Sequence, residues 1–297
     1  MEYYLGIDTS NYTTSVALIS QDGTILQRKK LLPVKSGERG LRQSDAVFHH
    51  TKQLPNLIED ILSSVEGRPL AIGVSSTPTT AKGSYMPCFL VGETVARSMS
   101  VILKVPLYKT SHQVGHVLAG IVSNECFELL DSKFLAFHVS GGTTDCLLCT
   151  PNANTLIDIS KVATSLDLKG GQAVDRIGIS LGLDFPCGME LEKLALQSIK
   201  TFKINPPIKE GNCCLSGIEN ICNKMLSQGE LPCDVALYCL EYIYSSIRDM
   251  SKYALKKFGN VPILYVGGVM SNSIIKKNYR MSLSVTLHNL NCLVITQ

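Results

Sequence analysis

Residues 134–149 read Phe-Leu-Ala-Phe-His-Val-Ser-Gly-Gly-Thr-Thr-Asp-Cys-Leu-Leu-Cys, and this stretch decides the fold. Strand formers at 134–139 run into the glycine turn Ser140-Gly141-Gly142-Thr143-Thr144, and 145–149 form a second strand. A third strand is expected at 155–163. The chain opens in the same order. Residues 3–8 are an apolar run, Asp8-Thr9-Ser10-Asn11 a polar turn, 13–20 a second run, and Asp22-Gly23 a hairpin turn into 24–32. Two copies of strand, polar turn, strand, strand make an internal repeat.

Outside the two copies, strands alternate with helices. A helix is expected from Ser44 or Asp45 to about Val65, with Val47, Leu54, Leu57, Ile58, Ile61 and Leu62 on one stripe. A buried strand at 70–74 follows, then a hydroxyl-rich loop at 75–80, a helix at 89–104 and a short strand at 105–108. Residues 33–43, with Pro33, Gly37 and Gly40, read as a loop. Late in the chain come a long helix at 233–258, a strand at 262–266 and a helix at 271–281. This is α/β layering.

A length of 297 residues exceeds what one core usually holds, so two lobes are expected, 1–130 and 131–297. With 45% apolar and 18% charged residues there is ample core material. A net charge of +3 permits nucleic acid as a partner without demanding it. The start, Met1-Glu2-Tyr3-Tyr4, shows no secretory signal, and no apolar run has membrane-spanning length. Eleven scattered cysteines suggest reduced thiols and a cytoplasmic protein without a membrane partner. Cys146 and Cys149 lie three apart on a strand, on opposite faces, and read as packing residues.

Three glycine turns carry the chemistry. In Ser140–Thr144 two glycines let backbone approach a phosphate, and successive N–H groups form an anion nest. Gly170-Gly171 opens a helix that carries Asp175 one turn in, suited to a phosphate or to ribose hydroxyls. Gly267-Gly268 follows a strand and leads to Asn272, which can bond a base or ribose. Each turn sits at the C-terminal end of a strand, which points to one nucleotide crevice between two lobes. His112 and His116, four apart on a helix, can close on one divalent metal. Two histidines on a solvated helix face would look the same, and no Glu follows His112 to make a metalloprotease motif.

Taken in order, Leu5-Gly-Ile-Asp-Thr-Ser10, Leu90-Val-Gly-Glu-Thr-Val-Ala-Arg97, His112-Gln-Val-Gly-His116, Val139-Ser-Gly-Gly142, Gly182-Leu-Asp-Phe-Pro-Cys-Gly188 and Gly267-Gly-Val-Met-Ser-Asn272 resemble one family. It is the catalytic subunit of tRNA threonylcarbamoyladenosine synthases, formerly called O-sialoglycoprotein endopeptidases. Leu215-Ser-Gly217 also fits, and the resemblance spans about residues 4–276.

The resemblance implies two actin-like (RNase H-like) lobes around a nucleotide cleft. It implies an acyltransferase that moves a threonylcarbamoyl group from threonylcarbamoyl-AMP to N6 of adenine 37 in tRNAs reading ANN codons. His112 and His116 would bind Fe2+ or Zn2+. Val139, Ser140, Gly141, Gly142, Thr143, Asp175, Gly188, Glu192 and Asn272 would line the site for threonylcarbamoyl-AMP or ATP. An actin-like subunit and a small ATPase subunit would be partners beside tRNA.

Three departures stand out. The opening turn lacks the acidic residue usual after its Ser, and Thr143 stands where the family has His. The family's third metal ligand, the Asp of an [S/T]-D-N-A motif, does not occur before Gln297. Residues 287–297 show neither the expected strand nor that motif. One permitted back-translation of them, read out of frame, gives S-S-D-N-A. The expectation is a truncated or frameshifted member of the family. Two other functions stay open: a nucleotide-binding paralogue acting as scaffold or partner, and a metallopeptidase.

Overall fold

The structure, a computed structural model, describes residues 2–10, 12–33, 41–286 and 293–295, of which 281–286 and 293–295 are described as backbone only. Asn11 of the opening turn, residues 34–40 of the predicted loop and 287–292 of the tail lie outside these. The chain divides into two compact units, Met1–Gly115 and His116–Gln297.

The first unit is built on β1 (Glu2–Asp8), β2 (Thr13–Ser20), β3 (Ile25–Leu31), α1 (Gln43–Ser63), β4 (Arg68–Thr77), α2 (Phe89–Leu103) and β5 (Leu107–Ser111). Its sheet runs β3-β2-β1-β4-β5. The first three strands are antiparallel neighbours, while β4 and β5 add in parallel beside β1. β1 and β2 alternate buried and more open positions, and their buried faces pack with Leu54 and Ile61 of α1 and Ala96 of α2. Burying each such aliphatic side chain contributes about 1.5–3 kcal/mol.

The helix α3 (His112–Ser123) starts directly at the end of β5. The expected strand at 105–108 therefore runs further, to Ser111, and the hydroxyl-rich loop expected at 75–80 begins as strand, because Ser75 and Thr77 pair with β5.

The second unit continues with β6 (Phe134–Val139), β7 (Thr144–Asn152), β8 (Leu156–Thr164), α4 (Gly170–Ser180), α5 (Gly188–Ala195), β9 (Ile208–Lys209), β10 (Asn212–Cys213), α6 (Gly217–Ser227), α7 (Pro232–Phe258), β11 (Ile263–Val266), α8 (Ser273–Thr286) and β12 (Leu293–Ile295). Its main sheet, read from one edge, is β8-β7-β6-β11-β12. β6, β7 and β8 are antiparallel neighbours, and β11 and β12 add in parallel beside β6. This is the strand order of the first sheet, so the repeat expected from sequence is a repeat of topology.

The tail departs from its expectation. Residues 293–295, Leu-Val-Ile, do form a strand on the edge of β11. Three apolar residues, two of them β-branched, suffice for an edge strand where a partner strand supplies the ladder. β6 is buried along its whole length, as a central strand covered on both faces must be. Leu135, Phe137 and Val139 face the core that also holds Ile243 and Ile247 of α7. Cys146 and Cys149 are wholly buried, and burial pushes the Cys149 thiol up to about 12. They pack as thiols.

Candidate nucleotide and metal sites

In the second unit the three glycine segments come together. The Ser140 N–H donates to the Thr143 carbonyl over 2.8 Å, which closes the turn between β6 and β7. The Gly171 N–H donates to the Ser140 carbonyl over 3.0 Å, which docks the start of α4 on that turn. A Cβ on Gly171 would lie 2.6 Å from Gly141 Cα, so only hydrogen fits between the two backbones. The Gly170 N–H donates to Thr144 Oγ1 over 2.8 Å. From the parallel neighbour β11, Gly267 arrives with φ of +104°, and a Cβ there would lie 2.3 Å from the Val139 carbonyl oxygen. All three glycine turns expected to converge do so, within one unit.

The surface of this junction is open. Gly141 and Gly142 are exposed, and a Cβ built on either meets nothing within 4 Å. Among the described residues no backbone acceptor takes the N–H of Gly141 or Gly142. The N-terminal end of α4, with its partial positive charge, abuts the same turn. The arrangement suits an anion of phosphate size.

The other predicted contacts stand around α4 and α5. Asp175 is half-buried, and its Oδ1 accepts the Cys187 N–H over 2.9 Å. Burial pushes its carboxyl up, and the Cys187 N–H pulls the other way, leaving a net rise. Gly178 accommodates Cys187, since a Cβ on Gly178 would lie 2.2 Å from Cys187 Cβ. This interlock ties the loop before Gly188 to the helix that carries Asp175. Gly188 opens α5 with free space at its Cα.

Asn272 is largely committed. Its Oδ1 accepts the N–H groups of Ile274 and Ile275 and so caps α8, and its Nδ2 donates to Glu192 Oε2 over 2.9 Å. Glu192 Oε1 accepts the Ser273 N–H over 2.9 Å. The pair locks α5 to α8, a link that residue spacing does not reveal.

In the first unit, Asp8 at the end of β1 accepts the Ser10 N–H over 2.8 Å through Oδ1 and contacts His112 Nδ1 over 2.9 Å through Oδ2. Burial alone would push the Asp8 carboxyl up. His112, and then Ser10 and Ser75, outweigh it and hold the group well below the usual carboxylate range. An ionised carboxylate only accepts, so the proton of the contact sits on His112 Nδ1. Metal-binding histidines are oriented by carboxylates in this way.

His116, one helical turn further and in the second unit, has its ring 4.5 Å from that of His138 on β6. Among the described residues no three His, Cys, Asp or Glu side chains are grouped to hold a metal. His112 and His116 lie four apart on α3, and both are nitrogen donors of the kind divalent cations take. Asp8 and His138 escaped the reading of the sequence. Asp8 lay inside a turn read as a whole, and His138 inside a strand read as core.

Residues 33–290 match the sequence model of the tRNA N6-adenosine threonylcarbamoyltransferase family. A tRNA N6-adenosine threonylcarbamoyltransferase of Methanopyrus kandleri is 26% identical over 90% of this chain and 75% of its own length. A probable bifunctional tRNA threonylcarbamoyladenosine biosynthesis protein of Methanocaldococcus jannaschii is 24% identical over 92% of this chain, which spans about half (48%) of that relative. Among solved structures, HypF of T. kodakarensis aligns over 99% of this chain and 45% of its own with a TM-score of 0.64 at 13% identity, a likeness of fold.

Proposed function

The chain belongs to the tRNA N6-adenosine threonylcarbamoyltransferase family, and from that premise we propose that it carries out the transfer itself. Its substrates are threonylcarbamoyl-AMP and tRNA reading ANN codons, and N6 of adenine 37 attacks the carbamoyl carbon while AMP leaves. The observation that carries this reading is the meeting of Ser140–Thr143, Gly170-Gly171 and Gly267 at one open turn in the second unit.

Each residue has a task in it. The N–H groups of Gly141, Gly142 and Thr143, with the start of α4, bind the phosphate and hold the charge that builds on it as it leaves. Asp175 accepts the ribose hydroxyls. The remaining amide hydrogen of Asn272, held in place by Glu192, reaches base or ribose, and bare Gly188 lets the base approach. Val139 supports the turn from below. His112 and His116 hold Fe2+ or Zn2+, which when bound supplies a Lewis acid for the carbamoyl oxygen. Asp8 fixes the proton of His112 on Nδ1 and so orients the ring. An actin-like subunit and a small ATPase subunit complete the assembly, which works in the cytoplasm.

A second reading, a nucleotide-binding scaffold without transfer, is favoured by Thr143 standing where the family has His. One experiment separates the two. Purified chain is incubated with tRNA and threonylcarbamoyl-AMP, and the tRNA nucleosides are analysed by mass spectrometry. Threonylcarbamoyladenosine is expected, with at least a hundredfold loss on His112→Ala or His116→Ala. Adenylate binding with no modified nucleoside sinks the transferase reading and leaves the scaffold.

A further inference from the structure

Residues 248–280 hold seven basic residues and one acidic one, a net charge of +6 in a chain whose net charge is +3. They span the last three turns of α7, the strand β11 and the first half of α8. On α7 Ile247, Met250 and Ala254 are buried, which leaves Lys252, Lys256 and Lys257 exposed. On α8 Ile274, Ile275 and Tyr279 are buried, which leaves Lys277 and Arg280 exposed and Lys276 half-buried. The two helices are neighbours. The Tyr244 hydroxyl donates to the Asn278 carbonyl over 3.3 Å, and the Tyr244 and Tyr279 rings meet edge to face. Arg248 lies beside that junction, 5.7 Å from the centre of the Tyr244 ring.

The stability of the helices does not account for this charge. Asp249 takes Arg248 over 2.8 and 3.0 Å and Lys252 over 3.3 Å. Among the described residues Lys256, Lys276, Lys277 and Arg280 have no carboxylate partner. Lys256 suits the last turn of α7, where the helix dipole favours a cation. Lys276 stands in the first turn of α8 and Lys277 directly after it, at the end where the dipole disfavours one. Lys276 and Arg280 are also like charges four apart on one face, which repel. Glu192, the carboxylate at the head of α8, is spent on Asn272 and the Ser273 N–H. A polyanion lying across the surface relieves both costs.

We propose that this face of α7 and α8 binds the sugar–phosphate backbone of the tRNA. The proposal rests on the reading of the chain as a tRNA-modifying transferase. α8 starts at Ser273, next to Asn272 of the proposed nucleotide site, and Arg280 lies about 10 Å along the helix. The basic surface therefore begins where the nucleotide site ends, and both belong to the second unit. Phosphates of the strand that carries the target adenine meet Lys276, Lys277 and Arg280, and Lys252 and Lys256 of α7 extend the track. Such contacts fix position and leave the choice of base to the site.

The test follows tRNA binding to the full chain by fluorescence anisotropy between about 50 and 200 mM salt. Lys256→Gln, Lys276→Gln, Lys277→Gln and Arg280→Gln are combined in one variant. Its affinity is expected to fall at least about tenfold, and the slope of log affinity against log salt to fall by roughly 3. Its thermal midpoint is expected to stay at or above that of the parent, because α8 loses unfavourable charge. A control, Lys203→Gln with Lys224→Gln, removes two exposed lysines elsewhere in the second unit and is expected to keep the parent slope. Equal loss per removed charge in the control overturns the proposal, since net charge alone would then govern binding. Parent affinity and slope in the fourfold variant overturn it too, turn the surface over to an acidic protein partner, and leave the transferase reading standing. Failure of the parent chain to bind tRNA sinks that reading, and the proposal with it.

Discussion

The turn after β1 and the turn after β6 occupy the same place in two sheets of identical strand order, yet they are finished differently. In the first, Thr9 fills the angle between the turn and α2. Its hydroxyl donates to the Cys88 carbonyl over 2.9 Å and accepts the Gly92 N–H over 3.1 Å, wholly buried. In the second, backbone meets backbone, Gly171 against Gly141, and Thr144 takes the Gly170 N–H from beneath. A side chain closes the first turn, and the absence of side chains leaves the second open. The same fold thus yields a turn that holds its own carboxylate and histidine, and a turn that faces outward with bare N–H groups. Duplication supplies the frame, and the glycines decide which copy can receive an anion.

The largest effect is expected where glycine faces backbone. Gly267→Ala adds a Cβ at 2.3 Å from a carbonyl oxygen in a left-handed conformation, and should cost about 3 kcal/mol or more. In the first unit, Gly92→Ala on α2 meets Thr9 Oγ1 at 2.9 Å and the Ile7 and Thr9 methyls beyond, all side-chain atoms. It should cost about 1 kcal/mol. Urea unfolding of the two variants measures this, and equal losses would mean that both turns are packed alike.

Next come the two threonines. Thr9→Val takes the side-chain acceptor from the buried Gly92 N–H and one of two donors from the Cys88 carbonyl, which keeps the Val91 N–H, for about 2 kcal/mol. Thr144→Val leaves the Gly170 N–H at the head of a helix, while the Thr143 carbonyl, which also loses the hydroxyl, keeps the Ser140 N–H, for about 1 kcal/mol. Thermal midpoints rank them, and the reverse order would contradict the roles given to the two hydroxyls.

The smallest effect is a pH dependence. Asp167 accepts the Leu168 and Leu215 N–H groups over 2.6 and 2.7 Å and Ser216 through its N–H and hydroxyl, tying the approach to α4 onto the start of α6. Burial pushes its carboxyl up, and the Ser216 and Leu215 hydrogen bonds more than offset that, so it lies below the usual range. A depressed carboxyl stabilises fully above the unfolded value of about 3.9, and the contribution fades as pH falls through the lower folded value. The group is largely open to water, so Asp167→Asn should lower the midpoint by roughly a few degrees at pH 7. The difference should begin to shrink below about pH 4 and go on shrinking as pH falls through the lower folded value. A gap that stays constant as the pH is lowered from 7 to where the chain unfolds in acid would show that the carboxylate charge is not what holds this loop.

Much of this was legible in the residues. Periodicity placed α1, α2 and α7 within one or two positions, and the echo of 3–20 in 134–149 gave the repeat before any strand order was known. The spacing of the glycines named the turns that meet. Strand ends were less legible: β5 runs on to Ser111 because β4 pairs with it there, and propensity over four residues cannot show that. Roles that depend on a distant partner were the least legible. Asn272 and Glu192 are eighty residues apart in sequence and 2.9 Å apart in space.

The sequence by itself determined the α/β class, the repeated succession of strand, turn, strand and strand, and the residue types at each turn, because these follow from local steric preference and from periodicity along a short window. Only the tertiary structure decided which groups are spent and which remain to act. Asp8 is bound to His112, Asn272 to Glu192 and to its own helix, and the His116 ring lies tilted against that of His138, while Gly141 and Gly142 stand open. The reason is that hydrogen bonds and ring contacts between distant segments depend on where packing brings them, and the hydrophobic pattern that drives packing carries no record of those pairings.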